Sequence, residues 1–254
     1  MSDDSALKAD LVDYLQKLDY QATCIEEAET PTPDLRILDM HGSAYVAEVK
    51  CRTTPWEAKA EVLTEDPTGR VLKRNDRSTT SNSVAGDLKH AALQLDGGAK
   101  EGDLRLVWLF ADTSDQQFLY EQVRRTAYGL KLASAIAQGV GATREAYFAT
   151  YAAFANHSQS IDGILLGRFQ GLLLNNLSLR YAQLKASAIA VQCGEYVLDP
   201  LEVEKKGECF VVPVGEHPPT PESVKARIGE KYGVTVVELG DFTRFSAVVE
   251  VKNG

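Results

Sequence analysis

Three polar residues in the stretch "PTPDLRILDMHGSAYVAEVKCR" (31–52) are of the types that metal-assisted hydrolysis uses: Asp34, Glu48 and Lys50. Two carboxylates on one patch repel each other unless a cation neutralises them. A hard divalent ion such as Mg²⁺ takes one or two carboxylates together with waters and phosphate oxygens. A lysine beside that pair would orient or help deprotonate an attacking water and offset charge on a phosphorane-like transition state. The combination suits hydrolysis of a phosphodiester, provided that the three side chains reach one place.

Strand geometry decides whether they do. Residues two apart share a face of a strand, so Glu48 and Lys50 point one way, and Tyr45, Ala47, Val49 and Cys51 point the other. The preceding segment carries Leu35 and Ile37 on one face and Arg36 on the other. A two-residue loop at His41-Gly42 would set Leu35 across from Glu48 and mix apolar with charged residues on both faces. A three-residue loop, His41 to Ser43, sets Leu35 across from Val49, Ile37 across from Ala47 and Asp34 across from Lys50, with Glu48 beside them. A one-residue slip exchanges the faces, so burial selects the second register. Pro33 holds Thr32 extended where the strand begins.

The surrounding elements follow from periodicity. "SALKADLVDYLQKL" spaces Leu7, Leu11, Tyr14, Leu15 and Leu18 as an amphipathic helix at about 5–18. "QATCIEEAE", "DLRILD" and "SAYVAEVKCR" read as strands. Residues 53–81 are polar and poorly patterned, with a short helix expected at 55–63. "SNSVAGDLKHAALQLDGG" reads as a helix with a stripe of Val84, Leu88, Ala92 and Leu95, capped by Ser81 or Ser83 and stopped by Gly97-Gly98. "LRLVWLFA" reads as a strand buried on both faces. "SDQQFLYEQVRRTAYGLKLASAIAQGVG" reads as one long helix, and "TPESVKARIGEKYG" as a helix between Thr220 and Gly233. "AYFATYAAF", "GILLG", "AIAVQCG", "CFVVPVG", "VTVVEL" and "FSAVVEVK" read as strands. The order α-β-β-β-α-β-α predicts an α/β fold with a central mixed sheet flanked by helices over residues 1–112. Residues 113–254 supply further α/β elements, either as an extension of the same domain or as a small second module.

Pro33-Asp34 followed by Glu48-Val49-Lys50 resembles the PD-(D/E)xK nuclease superfamily, the restriction-endonuclease-like fold. The resemblance covers roughly residues 5–112 and singles out no family within the superfamily. It implies an endonuclease dependent on Mg²⁺ (or Mn²⁺), with DNA as the expected substrate. Asp34 and Glu48 would be its metal ligands, and Asp34, Glu48 and Lys50 its catalytic residues. Gln94, on the helix after the motif strand, matches a further catalytic position, with Lys89 on the same helix placed to contact nucleic acid. A second E-x-K, Glu250-Val251-Lys252, lacks an upstream Pro-Asp. Folding "VTVVEL" back on "FSAVVEVK" would pair Leu239 with Phe245 and Val234 with Glu250, which puts no acid across from Glu250.

Composition narrows the alternatives. The 254 residues are 44% hydrophobic and 25% charged with a net charge of −9, which argues against non-specific coating of nucleic acid. A local basic stretch remains at Arg70, Lys73, Arg74 and Arg77, where the chain would grip a nucleic-acid backbone. No apolar run is long enough for a membrane span, and the acidic, polar start points to the cytoplasm. The four cysteines form no C-x-x-C and read as reduced, mostly buried thiols. His90 reads as a helix-surface residue and Trp56 as a packing residue. Phosphate-binding, dinucleotide and hydrolase-elbow motifs are missing. The competing expectation is a catalytically silent nuclease-fold protein that binds nucleic acid, or a protein partner through its C-terminal half, in a defence or repair complex. Oligomerisation fits either reading.

Overall fold

A computed structural model describes residues 3–26, 28–52, 61–66, 69–76, 81–111, 116–215, 218–242 and 245–252. The chain opens with α1 (Asp3–Gln16) and an antiparallel run of β1 (Gln21–Cys24), β2 (Leu35–Leu38) and β3 (Ala44–Arg52). A hairpin of β4 (Glu61–Asp66) and β5 (Gly69–Asp76) follows, then α2 (Asn82–Gly98) and β6 (Leu104–Ala111), which returns parallel to β3. Next come α3 (Gln116–Tyr128), β7 (Lys131–Ala137), β8 (Val140–Tyr147) and α4 (Ala153–Asn156). The hairpin β9 (Gly163–Leu166) and β10 (Gly171–Leu174) leads to α5 (Tyr181–Lys185), α6 (Ala188–Cys193) and β11 (Val197–Leu198). The chain closes with α7 (Pro200–Lys205), β12 (Cys209–Val211), α8 (Pro221–Tyr232), β13 (Thr235–Gly240) and β14 (Phe245–Lys252).

The expected central mixed sheet is present as seven strands in the order β1-β2-β3-β6-β9-β10-β11. It continues past residue 112, because β9, β10 and β11 complete it. A four-stranded sheet (β12-β8-β7-β13) and a three-stranded sheet (β14-β5-β4) accompany it. Strand β6 lies between two parallel neighbours and from Leu106 on is apolar on both faces, as the hydrophobic run from Leu106 to Ala111 predicts. On one face Leu104, Leu106 and Trp108 join Leu35, Ile37, Tyr45, Ala47 and Val49 beneath Leu11 and Leu15 of α1. On the other, Val107 and Leu109 join Val46 against Val84, Leu88, Ala91 and Leu95 of α2. Among the described residues, no helix is long and apolar enough to cross a membrane.

Several expectations need correction. The long helix expected over 114–141 ends at Tyr128, and the rest forms the β7–β8 hairpin. A Cβ at Gly129 (φ +59°) would lie 2.6 Å from the Tyr151 carbonyl, so the chain must turn there. From that point the burial of Ala133 and Ala135 has period 2, and pairing to β8 overrides the helix propensity of "KLASAIA". "AYFATYAAF" leaves the strand after Tyr147 and enters α4. "AIAVQCG" is helical, because Ser187 caps it by accepting the Ala190 N–H. Residues 53–81 are not an irregular connection: they contain β4 and β5, so positions 61–63 of the expected short helix are strand, while 55–60 and Trp56 lie outside the described residues. Strands β13 and β14 do not pair with each other; β13 pairs with β7, and β14 with β5. Of the four cysteines, Cys193 and Cys209 are buried as expected, while Cys24 and Cys51 are exposed.

Helix α2 carries the expected Ser81 cap, but Gly97-Gly98 form its last turn rather than stopping it. Close approach explains the glycines. A Cβ at Gly97 would fall 1.9 Å from the Pro31 carbonyl oxygen, and one at Gly98 would fall 2.3 Å from Pro33 Cδ. The segment that leads into Asp34 therefore rests directly on the end of α2.

Candidate active site

The β2–β3 hairpin has a three-residue loop, but the loop is Met40–Gly42, one place earlier than expected. Leu35 faces Ala47 and Ile37 faces Tyr45, so the register differs by two residues from the expected one. A shift of two leaves every side chain on its expected face. It changes the partners: continuing the ladder, Asp34 lies across from Glu48 and not from Lys50. The cause is Asp39. Its carboxylate accepts the N–H groups of His41 and Ser43, each at 2.9 Å, and the Tyr45 hydroxyl at 2.6 Å. These bonds close the turn at that place. Burial pushes the Asp39 carboxyl up, but the hydrogen bonds from Tyr45, Ser43 and His41 prevail and hold it below the ordinary range. Burial thus fixes the parity of the register, and one side chain fixes the count.

Asp34 continues β2 into the ladder. Its N–H bonds the Ala47 carbonyl at 3.0 Å, and its Oδ2 accepts the Val49 N–H at 2.7 Å. Its Oδ1 is 2.6 Å from the ammonium of Lys8 on α1. Glu48 is 1% exposed. Its Oε1 accepts a hydrogen bond from Lys50 Nζ at 2.6 Å, and its Oε2 is buried with no hydrogen-bond partner. Burial pushes the Glu48 carboxyl up to about 7; Lys50 opposes this, and Asp34 adds to it by its negative charge and by a hydrogen bond that favours the protonated acid. Lys50 also donates to Gln94 Oε1 at 3.2 Å, which ties β3 to α2. One strand repeat later, Arg52 Nε donates to Asp87 Oδ2 at 2.9 Å, and its Nη2 donates to Ser83 Oγ at 2.8 Å.

The fold thus brings Asp34, Glu48, Lys50 and Gln94 together. It does not bring Lys89 with them. Lys89 is five residues from Gln94, about 140° around the helix, and is exposed. There it acts on His157, whose imidazole is held below its ordinary pKa by burial and by Lys89, against the pull of Asp96. His90 is exposed on α2, as expected. Arg70, Lys73 and Arg74 lie on β5, where they pair with Val251, Val248 and Ala247 of β14 in a sheet separate from that of β3. Arg77 lies outside the described residues.

Lys8 is the residue that sequence reasoning missed. Its signal was present: it precedes Leu11 by three and Leu15 by seven, so a lysine stands on the buried stripe of the helix.

Asp34 and Glu48 are the two residues that would hold a metal. No group of three or more His, Cys, Asp or Glu is placed to hold one among the described residues. Two carboxylates suffice for an ion that keeps waters and takes substrate oxygens. The orphaned Oε2 of Glu48 fits such an ion, since a buried carboxylate oxygen wants a partner. Compared with protein-family models, with curated proteins and with solved structures, the chain finds no match.

Proposed function

We propose that the chain is a divalent-metal-dependent endonuclease of the PD-(D/E)xK type, hydrolysing phosphodiester bonds in DNA in the cytoplasm. The observation that carries this reading is the Oε2 of Glu48, which has no donor in the ionised carboxylate and is buried across the ladder from Asp34 and beside Lys50. Leaving such an atom unsatisfied costs on the order of 1–3 kcal/mol or more. A protein tolerates that cost where a ligand supplies the missing partner.

Asp34 and Glu48 would hold Mg²⁺ (or Mn²⁺), and the ion would supply Lewis-acid polarisation of the phosphodiester. The other roles belong to the chain itself. The Val49 N–H fixes the plane of the Asp34 carboxylate. Lys50 spends one N–H on Glu48 and one on Gln94. An ammonium has three donors, so one remains for a phosphate oxygen or the attacking water. Gln94 ties Lys50 to α2 while its ammonium stays on Glu48. Arg70, Lys73, Arg74, Arg77 and Lys89 would meet backbone phosphates away from the scissile bond.

A second reading has its own observation. Lys8 and Lys50 already balance Asp34 and Glu48. A site that is electrically complete without an ion favours a catalytically silent nuclease-fold protein that binds nucleic acid or a protein partner. A cleavage panel separates the two: single- and double-stranded DNA and RNA, with EDTA, Mg²⁺ or Mn²⁺, for the native chain and Glu48→Gln. The nuclease reading expects cleavage of DNA that needs both the ion and Glu48. Binding without cleavage under every condition sinks it in favour of the second reading.

A further inference from the structure

Lys8 comes from α1, outside the Pro-Asp and E-x-K segments, yet its ammonium sits 2.6 Å from Asp34 Oδ1, with the two side chains 19% and 11% exposed. The other oxygen of Asp34 is engaged by the Val49 N–H, and Glu48 Oε1 by Lys50. Three of the four carboxylate oxygens therefore have donors, and one, Glu48 Oε2, has none. An ion that used both carboxylates would share Asp34 with Lys8 or displace Lys8 from it.

We propose that Lys8 is the residue that sets the affinity of this site for divalent cations, its ammonium competing with the ion for Asp34. The proposal rests on the metal-dependent reading above. A carboxylate that already holds a cation gains less from a second one. With Lys8 in place and Glu48 ionised, the four charged groups sum to zero, so an entering ion leaves a net charge of +2 until a phosphodiester and its nucleophile bring negative charge. Without Lys8 the same groups sum to −1 and attract the ion directly. Lys8 thus makes the ion wait for substrate, and it guards Asp34 against repulsion from Glu48 while the ion is away. It acts through Asp34 and is a positioning residue.

The test is a calorimetric titration of the full chain with Mn²⁺ alone, without nucleic acid. One neighbouring charge changes a carboxylate's ionisation by about tenfold or more, so Lys8→Met should bind Mn²⁺ about tenfold or more tighter than the native chain. Lys8→Arg, which keeps the charge, should stay near the native affinity. Lys8→Gln, which keeps a hydrogen-bond donor but no charge, reads the same quantity if the methionine variant does not fold. In EDTA both neutral variants should melt lower than the native chain. Equal or weaker Mn²⁺ binding by the neutral variants, with clear binding by the native chain, overturns the role of Lys8 and leaves the metal site standing. Absence of Mn²⁺ binding in every protein overturns both.

Discussion

Glu48-Val49-Lys50 lies in β3, between β2 and β6 in the interior of the seven-stranded sheet, whereas Glu250-Val251-Lys252 lies in β14, at one end of the three-stranded sheet. The tripeptides are identical. Glu48 has Val107 on one side and, by continuation of the β2 ladder, Asp34 on the other. Glu250 has one neighbouring strand among the described residues, and the residue across from it is Val71. Val71 is not the Val234 partner that the sequence suggests, but it too offers no carboxylate. The chemistry of an E-x-K therefore comes from its neighbours. A second acid arrives on an adjacent strand, a helix supplies Gln94, another supplies Lys8, and burial raises the cost of leaving the glutamate alone.

The largest effect should come from exchanging the two regions in a cleavage assay. Glu48→Gln with Lys50→Ala should lower cleavage by about 10²- to 10⁴-fold, the scale of losing a positioned proton-transfer group, and Glu250→Gln with Lys252→Ala should leave it near native. Residues that act as a unit fail as a unit, so the double change at 48 and 50 should be little worse than either single change. Loss at the C-terminal pair with survival at the first would place the site in the other sheet.

A second contrast is thermodynamic. Glu48 is pushed from an ordinary 4.5 up to about 7 in the folded chain. Below pH 4.5 both folded and unfolded chains hold the proton. Between 4.5 and about 7 the unfolded chain releases it while the folded chain keeps it, so stability falls as pH rises. Above about 7 the loss is complete, at about 3 kcal/mol in all. Melting temperatures in EDTA should decline across that window for the native chain and for Glu250→Gln, and the decline should be absent in Glu48→Gln. A slope of the same size in all three would show that Glu48 is not the group that titrates.

The smallest effect concerns the strand that β14 supports. Arg70, Lys73 and Arg74 all pair along β14, and on β4 Glu65 and Glu61 lie across from Arg70 and Lys73. Replacing the three with Ser should weaken DNA binding and reduce the slope of log affinity against log salt by about 0.9 for each phosphate that is no longer neutralised. Cleavage at saturating DNA should stay near native. An unchanged salt slope would remove β5 from the binding surface.

Much of the candidate site was legible because burial constrains it twice. Leu35, Ile37, Ala47 and Val49 can share a face in one register parity alone, and that parity sends Asp34, Glu48 and Lys50 to the other face. The stripe of α2 and the apolar run of β6 from Leu106 were legible for the same reason. What was not legible depends on single side chains or on partners distant in sequence. The turn position depends on Asp39 accepting three donors. The hairpin at 131–147 depends on the backbone at Thr150 and Tyr151 crowding Gly129, which no local pattern reveals. Helix α6 depends on the Ser187 cap of a short apolar run that would suit a strand equally well. Lys8 was overlooked because one charge on an amphipathic helix looks like solvation until its carboxylate is known.

The last turn of α2 has a consequence for how the site can be lost. Pro31 and Pro33 lie against Gly97 and Gly98, and the same helix holds Gln94 against Lys50. One rigid rod thus gauges both strands, setting the height of Asp34 at one end and the reach of Lys50 three residues earlier. A single methyl at position 97 would drive the Pro31 segment outward, and misplacement by about 1 Å in an active site costs on the order of a hundredfold in rate. A descendant of this chain with alanine at 97 would keep Asp34, Glu48 and Lys50 in its sequence and no longer hold them at working distance.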